Sequence, residues 1–128
     1  MPLSAEEPLA RFIVEKSYFR ADCTLRHSAF MPSRQDREVS VYRILGLDPS
    51  GIWELGRSNV AVPRNKQLLG RADIKVLDVT AVGLTTIPDD DPSRHANIRG
   101  WPEDSSKHKL LALQLAEKAL LHLTSDPS

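Results

Sequence analysis

The sequence predicts an α+β fold, a small and mostly antiparallel sheet packed against a long C-terminal helix. Three observations carry that expectation. Short apolar stretches with alternating or β-branched character recur between residues 9 and 87, which is the pattern of strands. The nine prolines and six glycines fall mostly between those stretches, as turn residues do. Only near the end does a helical period appear: Ala112, Leu115, Ala116, Ala119 and Leu123 follow an i, i+3, i+4, i+7 spacing.

Taken in order, residues 1–8 hold Ser4 and Glu7 at capping-box spacing, cut short by Pro8. This start and the tail 124–128 are expected to fray. Phe12, Ile13 and Val14 read as a buried strand or a short helix, which period alone does not separate. Residues 23–30 form another candidate strand, stopped by Pro32, and the polar stretch 33–38 reads as an exposed loop. Residues 39–44 alternate apolar and polar, fitting a half-buried strand. The run Asp48-Pro49-Ser50-Gly51 is a turn whose proline has φ already set. Residues 52–61 suggest a helical passage, weakened at Gly56 by about 1 kcal/mol relative to alanine. Residues 74–79 read as a strand because positions 74, 76 and 79 are β-branched. Residues 84–87 suggest another, and 88–92 a loop. Ser105 or Ser106 caps the final helix, which is expected to run to about Leu123.

A length of 128 residues implies one domain, 1–128. Seventeen basic and seventeen acidic residues cancel, which argues against a bulk cationic nucleic-acid binder or an acidic tail. With 41% apolar and 27% charged residues the chain is expected to fold rather than stay disordered. The lone cysteine, Cys23, cannot form an intrachain disulfide and suits a reducing compartment. The longest apolar run, 110–113, is far short of the roughly 20 residues that span a bilayer, and the N-terminus has no basic flank ahead of an apolar segment. A cytoplasmic protein with no membrane partner is expected.

Two segments concentrate chemistry. Residues 25–32 contain Arg26-His27-Ser28, and residues 93–102 contain Arg94-His95-Ala96-Asn97-Ile98-Arg99-Gly100-Trp101-Pro102. Each sets Arg before His and ends at Pro, and Ser40-Val41-Tyr42-Arg43 lies between them. Two histidines beside arginines suit phosphate-ester chemistry, one imidazole taking a proton and the other giving it while arginine holds the anion. The two-histidine phosphoesterases place a hydroxyl two residues after each histidine; here Ser28 is one residue after His27, and residue 97 is an amide. The alternative for His95 is a structural bond that holds the Asp-rich turn.

Asp89-Asp90-Asp91 with His95 can be read as a cation site, but adjacent aspartates do not converge on one ion, so a solvated turn is the simpler reading. Cys23, His27 and His108 lack the paired spacing of a zinc site. Cys23 is either a nucleophile beside a histidine or a small buried thiol. Trp101 between Gly100 and Pro102 is either a lid over the start of the last helix or an exposed binding anchor. The excess of Arg57, Arg64, Lys66, Arg71 and Lys75 over Asp73 could contact nucleic acid or form a wet surface. No Gly-rich phosphate loop, zinc finger or other cofactor motif is visible.

On residues 9–14 and the segments Arg26–Pro32, Ser40–Arg43 and His95–Pro102, the chain resembles a group of small bacterial proteins with no established activity. The resemblance implies a bacterial origin and no mechanism. The expected function is therefore a binding or accessory module, taking a protein partner or a small anionic ligand in a basic pocket of Arg26, Arg43, Arg94, Arg99 and Trp101. The alternative is a phosphoesterase or nucleotide-processing enzyme with His27 and His95 as acid and base.

Overall fold

The computed structural model describes residues 3–124. Its strands are β1 (Pro8–Ile13), β2 (Val39–Arg43), β3 (Gly70–Lys75), β4 (Thr85–Pro88), β5 (His95–Arg99) and β6 (Leu120–Leu123). Its helices are α1 (Pro49–Gly56), α2 (Val76–Ala81) and α3 (His108–Lys118). The strands form one antiparallel sheet in the order β4-β5-β2-β1-β3-β6.

Side chains alternate across a strand, so β1 serves both faces. Leu9 and Ile13 join Val39, Val41, Ala72, Ile74, Ala96 and Ile98 on the first face. Over them pack α3, through Ala112, Leu115 and Ala116, and the 3-10 turn His27–Phe30, through Ala29 and Phe30. Ala10, Phe12 and Val14 join Tyr42 and Ile44 on the second face, beneath Ile52 and Ala61. Pairing of β1 with β2 covers only Leu9↔Arg43 and Ala10↔Tyr42. Where the two strands part, Arg11 bridges the gap: Nε donates to the Ala29 carbonyl at 2.9 Å and Nη1 to the Ser40 carbonyl at 3.0 Å. Burial lowers this guanidinium's pKa from its ordinary value.

Helix α1 begins where the sequence places a turn, because Asp48 accepts from the Gly51 N–H at 2.8 Å as N-cap and Pro49 takes the first helical position. The helix widens into a π turn, Arg57–Ala61, so the passage expected over 52–61 is helical. It reaches the sheet at Gly56, where a Cβ would stand 2.6 Å from Phe12 Cε1.

Three expectations are corrected. The C-terminal helix is not long: α3 has 11 residues, preceded by the 3-10 turn Ser105–Lys107. Ala119 is extended, and Leu120–Leu123 pair with β3 instead of extending the helix. The Leu run satisfies helical and strand patterns alike, and pairing satisfies the open backbone edge of β3. Residues 74–79 are half strand, half helix. Asp78 accepts from the Lys75 N–H at 3.2 Å and starts α2 despite the β-branched residues. Residues 23–30 make one bridge, Phe19↔Leu25, and then the 3-10 turn. Of the ends expected to fray, 1–8 and 124–128, residues 1–2 and 125–128 lie outside the described residues, while Pro8 opens β1 and the Thr124 N–H bonds the Leu69 carbonyl.

Gly56→Ala should lower the unfolding free energy by about 1–3 kcal/mol through overpacking, even though alanine favours helix by about 1 kcal/mol. Urea denaturation measures this, and an unchanged or higher stability would contradict the close approach of α1 to Phe12.

Candidate functional site

Helix α1 divides the second face into two troughs. On one side Trp53 leans over Arg71 of β3, 4.6 Å from the ring centroid to the guanidinium carbon. On the other, Leu47, Leu55 and Asn59 look across a shallow cavity at Ser93 and Arg94.

The β5 side holds the candidate site. His95 and Asn97 are two residues apart on β5 and so share a face. His95 is paired with Tyr42, and their rings meet edge-on at 5.3 Å between centroids. Phe12 backs Tyr42 at 5.6 Å. Asp89 reaches in from the loop before β5. Its Oδ1 lies 2.7 Å from His95 Nδ1, and its Oδ2 accepts from Asn97 Nδ2 at 3.1 Å. A carboxylate only accepts, so Nδ1 donates and Nε2 is the ring nitrogen left for a ligand. Partial burial pulls the Asp89 carboxyl up. The opposing bonds from His95, the Asp91 N–H and Asn97 outweigh that pull and hold its pKa below the ordinary value.

The loop that presents Asp89 is tightly determined. Asp90 and Arg94 have φ of +50° and +74°, a region disfavoured for residues with side chains. The N–H groups of Asp89 and Asp90 both donate to the His95 carbonyl, at 3.1 and 3.0 Å, and the His95 N–H donates to Pro92 at 2.9 Å. Arg94 Nη1 donates to the carbonyls of Arg43 and Leu45, 3.1 Å each. Arg94 thus anchors the loop.

Arg64 completes the electrostatics. Burial raises the Tyr42 hydroxyl's pKa, Arg64 pulls it back down and Asp89 pushes it up. The Arg64 charge thus reaches the Tyr42 hydroxyl, and it also adds to the lowering of the Arg11 pKa. Arg64 is exposed and makes no ion pair among the described residues.

The residues expected to pool into one basic pocket do not meet. Arg43 Nε bonds Glu7 Oε1 at 2.9 Å. Arg99 pairs with Glu38. Trp101 is buried, donates Nε1–H to the Ile98 carbonyl at 3.1 Å and packs edge-on against His108 at the start of α3. Arg26 is exposed at the entry to the 3-10 turn, and His27 opens that turn on the first face. His27 and His95 therefore belong to opposite sides of the sheet, and the expected acid–base partnership between them is not formed. Of the basic run, Arg57 pairs with Glu54, Lys66 with Glu15, Lys75 with Glu6, and Arg71 is buried with Asp73. Cys23 is exposed, not buried, and has φ +68°. Among the described residues no group of three or more His, Cys, Asp or Glu is gathered as a metal site.

A second histidine–aspartate pair lies across α1. Arg71 Nε bonds both carboxylate oxygens of Asp73 at 3.1 Å, and His122 Nε2 lies 3.4 Å from Asp73 Oδ2. Burial pushes the Asp73 carboxyl up, against the pull of Arg71 and His122.

The sequence placed His95 with the Asp-rich turn, where Asp89 bonds it, but gave no sign of Tyr42 or Arg64 as its neighbours. The His-x-Asn spacing within a strand was the local signal for Asn97. No family model matches the chain, and neither a curated protein nor a solved structure shows significant similarity to it.

Because the folded Asp89 titrates below its unfolded value, its contribution to stability is present above the unfolded pKa and is lost as pH falls through the folded one. Asp89→Asn should therefore be less stable than the parent near pH 7, with the gap closing below about pH 4. Urea unfolding across this range checks it, and a gap that stays constant in acid would contradict the assigned network.

Proposed function

We propose that the protein is a binding module for a small oxyanion, such as a phosphate or sulfate group, taken at His95 on the second face. The reading rests on one observation: Asp89, itself held by Asn97, bonds His95 through Nδ1 and leaves Nε2 without a protein partner among the described residues, while the imidazole packs edge-on against Tyr42, whose hydroxyl feels the charge of Arg64. Protonated at Nε2, His95 becomes a second donor-bearing cation next to the guanidinium. The Tyr42 hydroxyl supplies a third donor, and a tyrosine, a histidine and an arginine together suit an oxyanion. The anchored loop holds Asp89 in place before the ligand arrives, which reduces the ordering cost of binding.

This keeps an arginine–histidine anion site as the function but moves it. Arg64, Tyr42 and His95 replace Arg26, Arg43, Arg94, Arg99 and Trp101, whose side chains are spent on carboxylates, carbonyls and the core or stand apart.

Isothermal titration with inorganic sulfate, whose charge is constant between about pH 6 and 8, tests the reading. The protein should bind more tightly at the acid end, where histidines protonate. His95→Ala and Arg64→Ala should each weaken binding about tenfold or more, the loss of a charge-assisted bond. Binding that ignores both substitutions, or no binding at all, would overturn the proposal.

A further inference from the structure

We propose that the chain self-associates as a two-fold dimer in which β6 pairs antiparallel with β6 of a second copy. Two strands end the sheet. One, β4, finishes in Pro88 and runs into three aspartates, which are features that discourage further strand addition. The other, β6, reads Leu-Leu-His-Leu, with no proline, lysine, arginine or carboxylate.

The backbone of β6 decides what it can pair with. The Thr124 N–H donates to the Leu69 carbonyl at 2.9 Å. The His122 carbonyl also faces β3, so closely that a Cβ on Gly70 would stand 2.6 Å from it. With a period of two, the N–H and C=O groups of Leu121 and Leu123 point away from the sheet. These four groups are open to a further strand, whose backbone matches their spacing.

The occupant we infer is a second copy, because Leu121-His122-Leu123 reads the same in both directions. A two-fold axis at His122 sets Leu121 opposite Leu123 of the second copy, and Leu123 opposite its Leu121. All four outward backbone groups on each chain are then used, and leucine faces leucine on the first face. His122 meets its equivalent on the second face, each with its own Asp73 at 3.4 Å. A cleft of about 550 Å³ runs along that edge, its apolar part lined by Leu25, Leu113, Ala116 and Leu121 and its polar part by Arg20 and Glu117. An incoming Leu123 from the second copy fits there by chemistry and by side. Pairing would also cover Leu120 and Leu123, 63% and 37% exposed in the single chain. Since β4 is blunted, association through one edge closes as a dimer rather than growing into a fibre.

Four-residue strands make a small interface, so the dissociation constant is expected at about 10–100 μM. Sedimentation equilibrium should show a monomer–dimer equilibrium in that range. Amide hydrogen exchange gives a second readout without substitution. Leu121 and Leu123 should become protected as protein concentration rises, while Leu120 and His122, already bonded to β3, should not change. Leu123→Pro removes an outward N–H and leaves the bonds to β3 intact; it should weaken association at least tenfold with an unchanged circular dichroism spectrum. A chain that stays monomeric at about 1 mM, assembly beyond a dimer, or a dimer whose Leu121 and Leu123 amides exchange freely would each overturn the proposal.

Discussion

The contact between Gly56 and the Phe12 ring sets the layout of the molecule. Phe12 lies on a strand in the middle of the sheet and points to the second face. Because residue 56 has no side chain, α1 settles directly on that ring instead of standing off by the width of a methyl group. The sheet is thereby covered on its second face by a single narrow helix, while α2, α3 and the His27–Phe30 turn cover the first. That face carries two histidine–aspartate pairs, His95 with Asp89 and His122 with Asp73.

The two pairs are built from the same residue types and behave oppositely. Asp89 is on a loop, partly wet, and receives bonds from an imidazole, a backbone N–H and an amide; its acid form is disfavoured. Asp73 is inside the sheet's second face, and burial dominates over Arg71 and His122, so its acid form is favoured. Donor count and solvent access, not residue identity, separate them. The Asp89 pair packs against Tyr42, whose hydroxyl feels the charge of Arg64, a cation without an ion pair among the described residues, and it carries the proposed anion site. The Asp73 pair is already occupied by Arg71, which is itself stacked on Trp53, and reads as a structural tie between β3 and β6.

Much of the fold was legible because local chemistry and tertiary packing agree there. Val39–Arg43 alternates and is a strand; 52–61 is helical, although the helix starts earlier, in the run read as a turn; the loop read at 88–92 follows Pro88, the last residue of β4. The failures come where two patterns coexist. The leucines after Lys118 continue the helical stripe and also make a good strand, and only the open edge of β3, far away in sequence, decides between them. Val76 and Val79 favour strand by type, yet one carboxylate, Asp78, captures the Lys75 N–H and starts a helix. For the site, His95 stood out as a histidine in an unusual segment, but its partners depend on strand register and on a loop with two left-handed residues. Neither has a local sequence signature. The arginines drew attention by number, and most of them are spent on Glu7, Glu38, Glu54, Asp73 or backbone carbonyls. Charge counts do not reveal which cations are already paired.

The account's central claim is that His95, fixed through Nδ1, presents Nε2 to an anion beside Tyr42 and Arg64. The most direct measurement is a nitrogen-15 NMR titration of the histidine side chains with inorganic phosphate. The account predicts that free His95 is the tautomer protonated at Nδ1, and that phosphate moves its Nε2 resonance while His27, His108 and His122 stay in place. A His95 protonated at Nε2 in the free protein, or phosphate shifts confined to another histidine, would contradict it.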